Sequence, residues 1–132
     1  MIIRKLQLSD LHALSALDKV SFDKAWSPQA LSEELAHPDA LNLGVFAPEL
    51  RSALLTRMVA GERWIFRIMT HPEFRRQQLA EQLLALLPKE PLWLEVNVLN
   101  TSAISFYEKM GFEIVATRPG YYPEDALVMK HA

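Results

Sequence analysis

The spacing of apolar residues changes several times along the chain, and each change marks an element. Residues 2–8 open with the β-branched pair Ile2 and Ile3 and predict a strand. Ser9 or Asp10 then supplies a cap for a first helix, in which Leu11, Leu14, Leu17 and Asp18 recur at helical spacing. Ser27-Pro28 is a second helix start, with a hydroxyl at the cap and a proline where its missing N–H costs nothing. From that helix Ala30, Leu31 and Leu35 are expected to face the core. Three strands are predicted near 41–47, 52–59 and 63–70, joined by turns at Pro48-Glu49 and Gly61-Glu62. After a turn at His71-Pro72, residues 78–87 predict a helix striped by Leu79, Leu83, Leu86 and Leu87, and Pro88 stops it. A strand over 92–98, a helix over 101–110 and strands near 112–117 and 125–130 complete the pattern. The order β-α-α-β-β-β-α-β-α-β-β predicts an α/β domain with a mixed sheet.

Composition narrows the function classes. With 132 residues, one domain around one core is expected, and no repeat, low-complexity tract or linker interrupts it. Half of the residues are hydrophobic and 23% are charged, ordinary values for a globular protein. Cysteine is absent, which excludes disulfides, thiolate metal sites and a cysteine nucleophile. His12, His37, His71 and His131 show no paired ligand spacing, so no metal is expected. A net charge of −2 argues against a general nucleic-acid surface. No apolar run approaches the ~20 residues that cross a bilayer, and the opening lacks the apolar centre of a signal peptide. A cytoplasmic protein without a membrane partner, monomeric or weakly dimeric, is the expectation.

The chemistry concentrates between residues 92 and 112. An apolar strand carries one carboxylate, Glu95; Leu92, Leu94 and Val96 share one face, and Trp93, Glu95 and Asn97 the other. A polar turn at Asn97 and Asn100 follows, then a helix with Ala103, Ile104 and Tyr107 on one face, closed by Gly111. An acid and a phenol on neighbouring elements at the end of a sheet can move protons in opposite directions, as acyl transfer to an amine requires. Read singly, Glu95 is a strand-end carboxylate in solvent and Tyr107 a core tyrosine. Read together within this run, they favour catalysis. Upstream, a strand ends at His71 and a helix begins beyond Arg75 and Arg76, so that orphan N–H groups, the positive dipole end and two guanidinium groups suit a pyrophosphate. His71 itself reads as a turn residue before proline.

This order and these residues resemble the GNAT superfamily of acetyl-CoA-dependent N-acetyltransferases, most closely its RimI-like ribosomal-protein-alanine members. Three stretches carry the likeness, which covers nearly the whole chain: His71 to Ala80, Trp93 to Phe112, and Arg118 with Tyr121-Tyr122 and Glu124-Asp125-Ala126. The resemblance implies the GNAT fold, a mixed central sheet of six to seven strands with about four helices. It implies acetyl-CoA as co-substrate, with pantetheine amides paired to the backbone of Ile68, Met69 and Thr70. The diphosphate would lie against Arg75, Arg76, Gln77, Gln78, Leu79 and Ala80, and the pantetheine arm near Asn100. Glu95 would take the proton from the amine, and Tyr107 would protonate the leaving thiolate and contact the cofactor. Trp26, Tyr121 and Tyr122 would border the peptide, with Phe22 and Trp26 forming core or groove wall.

The family pattern Q/R-x-x-G-x-G/A is met by Arg75 and Ala80 but has Gln78 at the first glycine. A left-handed backbone there would cost a side chain roughly 1–2 kcal/mol, whereas a helical one would cost little. The segment 78–91 and the loop after Tyr122 are also short for the family. The expected reaction is acetylation of a protein N-terminal amine, the alanine of a small-subunit ribosomal protein, by direct attack in a ternary complex. An α-amino group with pKa ~7.7–8.0 is neutral in roughly a tenth or more of molecules at pH 7, so a weak base suffices. Glu33, Glu34, Glu124 or Asp125 would steer a basic peptide. Two alternatives stay open: acetylation of a small amine or a lysine, and a degenerate domain that has lost the cofactor and serves as an interaction module.

Overall fold

The computed structural model describes residues 1–120 and 123–132. It contains β1 (Ile2–Lys5), α1 (Leu11–Ser21), α2 (Pro28–Ala36), β2 (Ala40–Phe46), β3 (Leu50–Val59), β4 (Glu62–Thr70), α3 (Leu79–Ala85), β5 (Leu92–Asn97), α4 (Thr101–Lys109), β6 (Glu113–Arg118) and β7 (Ala126–His131). Short 3-10 turns precede α1 at Leu8–Asp10 and follow β4 at Pro72–Phe74. The strands form one sheet in the order β1-β2-β3-β4-β5-β7-β6. Only β4 and β5 run parallel; the other neighbours are antiparallel. The α/β fold with a mixed sheet and four helices is the expected one.

Local chemistry explains the element ends. Ser27 accepts the Ala30 N–H at 3.1 Å and caps α2, with Pro28 in its first turn. Asp10 acts differently from the expected α1 cap. Its carboxylate accepts the Gln7 N–H and both arms of Arg4, each at 2.9 Å for the guanidinium bonds, tying β1 to the start of α1. These bonds hold the Asp10 carboxyl below its ordinary value, the guanidinium contributing most. The β3–β4 hairpin turns on Ala60 and Gly61, both at positive φ (51° and 79°), as a two-residue primed turn demands.

Two apolar layers flank the sheet. One joins Leu14 and Leu17 of α1 and Leu31 of α2 to Ala53, Leu55 and Met69; the other joins Leu79 and Leu83 of α3 and Tyr107 of α4 to Leu54, Leu92, Leu94 and Val96. Leu31 is buried as expected, while Ala30 and Leu35 are only half-buried. Leu86 departs from the expected stripe. The helix ends at Ala85, and Leu86 is 56% exposed while Leu87 turns into the core. Two consecutive residues cannot both follow the stripe once the helix has stopped.

The sheet opens between β4 and β5. Their parallel pairing is limited to Arg63 with Leu92 and Trp64 with Trp93. Phe66 is the extra residue of a bulge in β4, since Leu55 opposes Arg67 and Thr56 opposes Ile65. A bulge bends and twists its strand, and this one carries the C-terminal part of β4 away from β5. The stacked rings of Trp64 and Trp93, 5.6 Å apart, sit at the apex. Replacing Leu94, 1% exposed beside this opening, by alanine is expected to lower stability by about 2–5 kcal/mol, read from the urea midpoint.

Candidate active site

The opening leaves strand edges without a ladder partner. His71 donates to the Arg51 carbonyl at 2.8 Å, and Met69 opposes Ala53. Alternation in an antiparallel ladder therefore turns the backbone of Met69 toward β3 and that of Ile68 and Thr70 toward the cleft. Of the three residues predicted to pair with an amide-bearing arm, Ile68 and Thr70 turn their backbone to the cleft and Met69 turns to β3. The Thr70 carbonyl also accepts from Arg75 Nε at 3.3 Å.

Beyond β4 the chain makes the predicted loop. His71 Nδ1 accepts the Glu73 N–H at 3.1 Å, a turn cap as expected. Gln78, the N-cap of α3, has φ 58° and ψ 29°, and Arg76 has φ 66°. The backbone geometry that glycine would serve is thus kept with a side chain in its place. The Gln78 side chain is exposed and lines the rim of the groove without closing it. Arg75, Arg76, Leu79 and Ala80 line the same groove. Leu79 is buried in the core, so its backbone is what it can offer a ligand. Gln77 is not among the lining residues; its carbonyl accepts from Gln82 at 3.5 Å.

The groove has a volume of about 2010 Å³ and passes through the cleft. On its α4 side lies Tyr107. The helix is placed by Asn100, whose Oδ1 caps it through the Ala103 N–H at 3.3 Å, leaving the side-chain amide donors for a ligand. At the other end Phe112 N–H bonds the Tyr107 carbonyl and Gly111 N–H the Glu108 carbonyl, a Schellman closure with Gly111 at φ 96°. The closure brings Phe112 edge-on to the Tyr107 ring at 5.5 Å. Tyr107 is 8% exposed, and burial pushes its phenol well above the ordinary value of 10.0. It therefore stays protonated, the state a proton donor needs.

Glu95 approaches from the opposite face of the sheet. Leu92, Leu94 and Val96 are buried against α3 and α4, so alternation directs Trp93, Glu95 and Asn97 to the other side. Glu95 Oε1 lies 2.5 Å from Arg118 Nη1 at the end of β6, an ion pair that sequence reasoning missed. Trp26, Phe22 and the rest of the α1–α2 loop line the same groove. Glu34 is excluded as a steering charge: it is buried and paired with Arg57. Glu33 is exposed on the groove, and Asp125 accepts the Gly120 N–H at 3.1 Å. Tyr121 and Tyr122, predicted to border the substrate, lie outside the described residues. Among the described residues no cluster of histidine and carboxylate side chains could hold a metal, and no helix is long and apolar enough to cross a membrane.

Strands that part in this way leave room for an extended arm carrying its own amides, as the resemblance to coenzyme A-dependent acetyltransferases implies. Comparison with known proteins agrees. Residues 48–114 match the acetyltransferase (GNAT) domain family. The chain is 37% identical over 102 residues to the ribosomal protein bS18-alanine N-acetyltransferase of Salmonella typhimurium, covering 67% of this chain and 69% of that one. It is 31% identical over 140 residues to the Escherichia coli K12 enzyme of the same name, covering 96% and 94%. The crystal structure of the E. coli ribosomal-protein-S18-alanine N-acetyltransferase superimposes with a TM-score of 0.88 at 29% identity, over 98% of this chain and 92% of that one. The chain belongs to the GNAT acetyltransferases. It is an N-acetyltransferase, and acetyl-CoA is its acyl donor.

Gln78→Gly removes about 1–2 kcal/mol of left-handed strain and adds roughly 0.4–1 kcal/mol of unfolded-state entropy. Chemical denaturation should show a net gain of about 0–1.6 kcal/mol; a lower midpoint would contradict the strain. Tyr107 gives a pH signature. Its folded-state value lies above its unfolded one, so its contribution is complete below pH 10.0 and lost as pH rises further. The loss approaches about 1.4 kcal/mol per pH unit. Stability measured at pH 9 and 11 should fall less in Tyr107→Phe than in the parent protein.

Proposed function

We propose that the protein acetylates a protein N-terminal amine, that of an alanine at the start of a small-subunit ribosomal protein. The observation that carries this reading is the placement of Glu95 and Tyr107 on opposite faces of one cleft. The acceptor enters from the Glu95 side, past the α1–α2 loop. Glu95 takes a proton from the ammonium, directly or through water, and passes it to solvent. The neutral amine attacks the thioester carbonyl held in the cleft, and the nitrogen of the tetrahedral intermediate loses its second proton by the same route as the C–S bond breaks. Tyr107 gives its proton to the departing sulfur from the α4 side. Both substrates are bound together, and the acetyl group passes directly from sulfur to nitrogen.

The cleft fits the donor. Ile68 and Thr70 present unladdered backbone to the pantetheine amides, and the loop around Arg75, Arg76, Gln78 and Ala80 presents N–H groups and guanidinium charge to the diphosphate. The open rim at Gln78 supports cofactor binding over a degenerate domain. An α-amino group reaches the neutral state near pH 7 far more readily than a lysine with pKa ~10.4, and a single carboxylate base suits the former. The relatives' printed activity supports the same acceptor. We place the enzyme in the cytoplasm, working as a monomer or weak dimer.

With acetyl-CoA and a peptide beginning in alanine, Glu95→Gln and Tyr107→Phe should each lower kcat by on the order of 10²-fold or more. A panel of peptides, lysine and small amines, assayed in parallel, identifies the acceptor. Undiminished turnover in both variants would sink the mechanism.

A further inference from the structure

A buried ion pair stands behind the acceptor wall. Asp18, on α1, is fully buried, and Arg67, on β4, is 11% exposed. Arg67 Nη1 lies 3.1 Å from Asp18 Oδ1, and Arg67 Nη2 donates to the Lys24 carbonyl at 3.0 Å. The same guanidinium lies 4.0 Å from the Phe22 ring centroid and 4.7 Å from that of Trp26. Asp18 Oδ2 accepts the Trp26 N–H at 2.7 Å. Apart from the ion pair itself, each of these contacts ends on residues 22–26, the irregular segment between α1 and α2.

That segment has little else to hold it. Asp23, Lys24 and Ala25 are exposed, and only the rings of Phe22 and Trp26 reach the core. Its residues line the same groove as Glu95 and Arg118. A buried ion pair is a poor source of net stability compared with apolar packing, and its best-attested use is to specify one arrangement. Here the arrangement specified is a loop conformation. Arginine suits the task because a planar fork can reach a carboxylate and a carbonyl while stacking on rings, which an ammonium cannot do.

We propose that Asp18 and Arg67 are positioning residues for acceptor binding: they clamp the 22–26 segment as the wall against which the acceptor docks. The inference rests on the acceptor side assigned above. The contacts of Asp18 and Arg67 given above run to residues 22–26, so the clamp sets acceptor affinity, whereas the cofactor is held by the loop at 75–80 and the backbone of Ile68 and Thr70.

The test uses the full chain with Arg67→Lys, which keeps the charge and loses the fork. Should that variant fail to fold, near-isosteric Asp18→Asn serves the same comparison. Three quantities are measured: hydrogen exchange at the Trp26 amide, KM and kcat for whichever acceptor turns over, and the Kd for coenzyme A. The expected result is Trp26 exchange faster by tenfold or more, acceptor KM raised at least fivefold, and kcat and coenzyme A Kd within twofold of the parent. Unchanged Trp26 exchange, an unchanged acceptor KM, or a coenzyme A Kd that weakens in step with KM overturns the proposal. Failure of the alanine peptide as a substrate of the parent enzyme counts against the acceptor assignment alone, since the clamp is read with the acceptor that works.

Discussion

Strands β4 and β5 hydrogen-bond through Trp64 and Trp93 and then separate, and the chemistry of the protein follows from that separation. A backbone edge left without a ladder must find other partners or face water. Between these strands it faces a groove, and the edge of Ile68 and Thr70 becomes a template for a substrate that can complete the sheet. The bulge at Phe66 bends β4, and the tryptophan stack with Lys130 4.7 Å above Trp93 closes the apex. The opening is therefore built from local features on both strands. It also joins the two faces of the sheet, so that Glu95 and Tyr107, the proposed base and acid, line one groove from opposite sides.

The two halves of the groove are stabilised differently. The cofactor half relies on backbone: left-handed residues at Arg76 and Gln78, a capped α4, and a Schellman turn that seats Tyr107. The acceptor half relies on charge pairs, with Arg57 on Glu34, Arg67 on Asp18 and Arg118 on Glu95. Each pair cancels a carboxylate on or behind the wall.

Much of this was legible in the sequence because it is local. The alternation of Leu92 to Asn97 predicted which face Glu95 takes, and Asn100 and Gly111 predicted where α4 begins and ends. Gln78 was legible as a departure, but its backbone conformation was not, because φ at a non-glycine residue leaves no mark in composition. Leu86 misled because helical spacing continues in the sequence after the helix itself has stopped at Ala85. The ion pairs were invisible for a different reason. Glu95 and Arg118 are 23 residues apart, and Arg67 bonds to Lys24 across 43. Only the assembled sheet brings such partners together, and no periodicity encodes them.

The central claim is that the parted strands receive the pantetheine arm. A crystal structure of the protein with coenzyme A tests it most directly. The account predicts an arm hydrogen-bonded to the backbone of Ile68 and Thr70, between β4 and β5, with the diphosphate against the N–H groups of residues 75–80. A coenzyme bound elsewhere, or strands zipped together beyond Trp64 and Trp93, would contradict it.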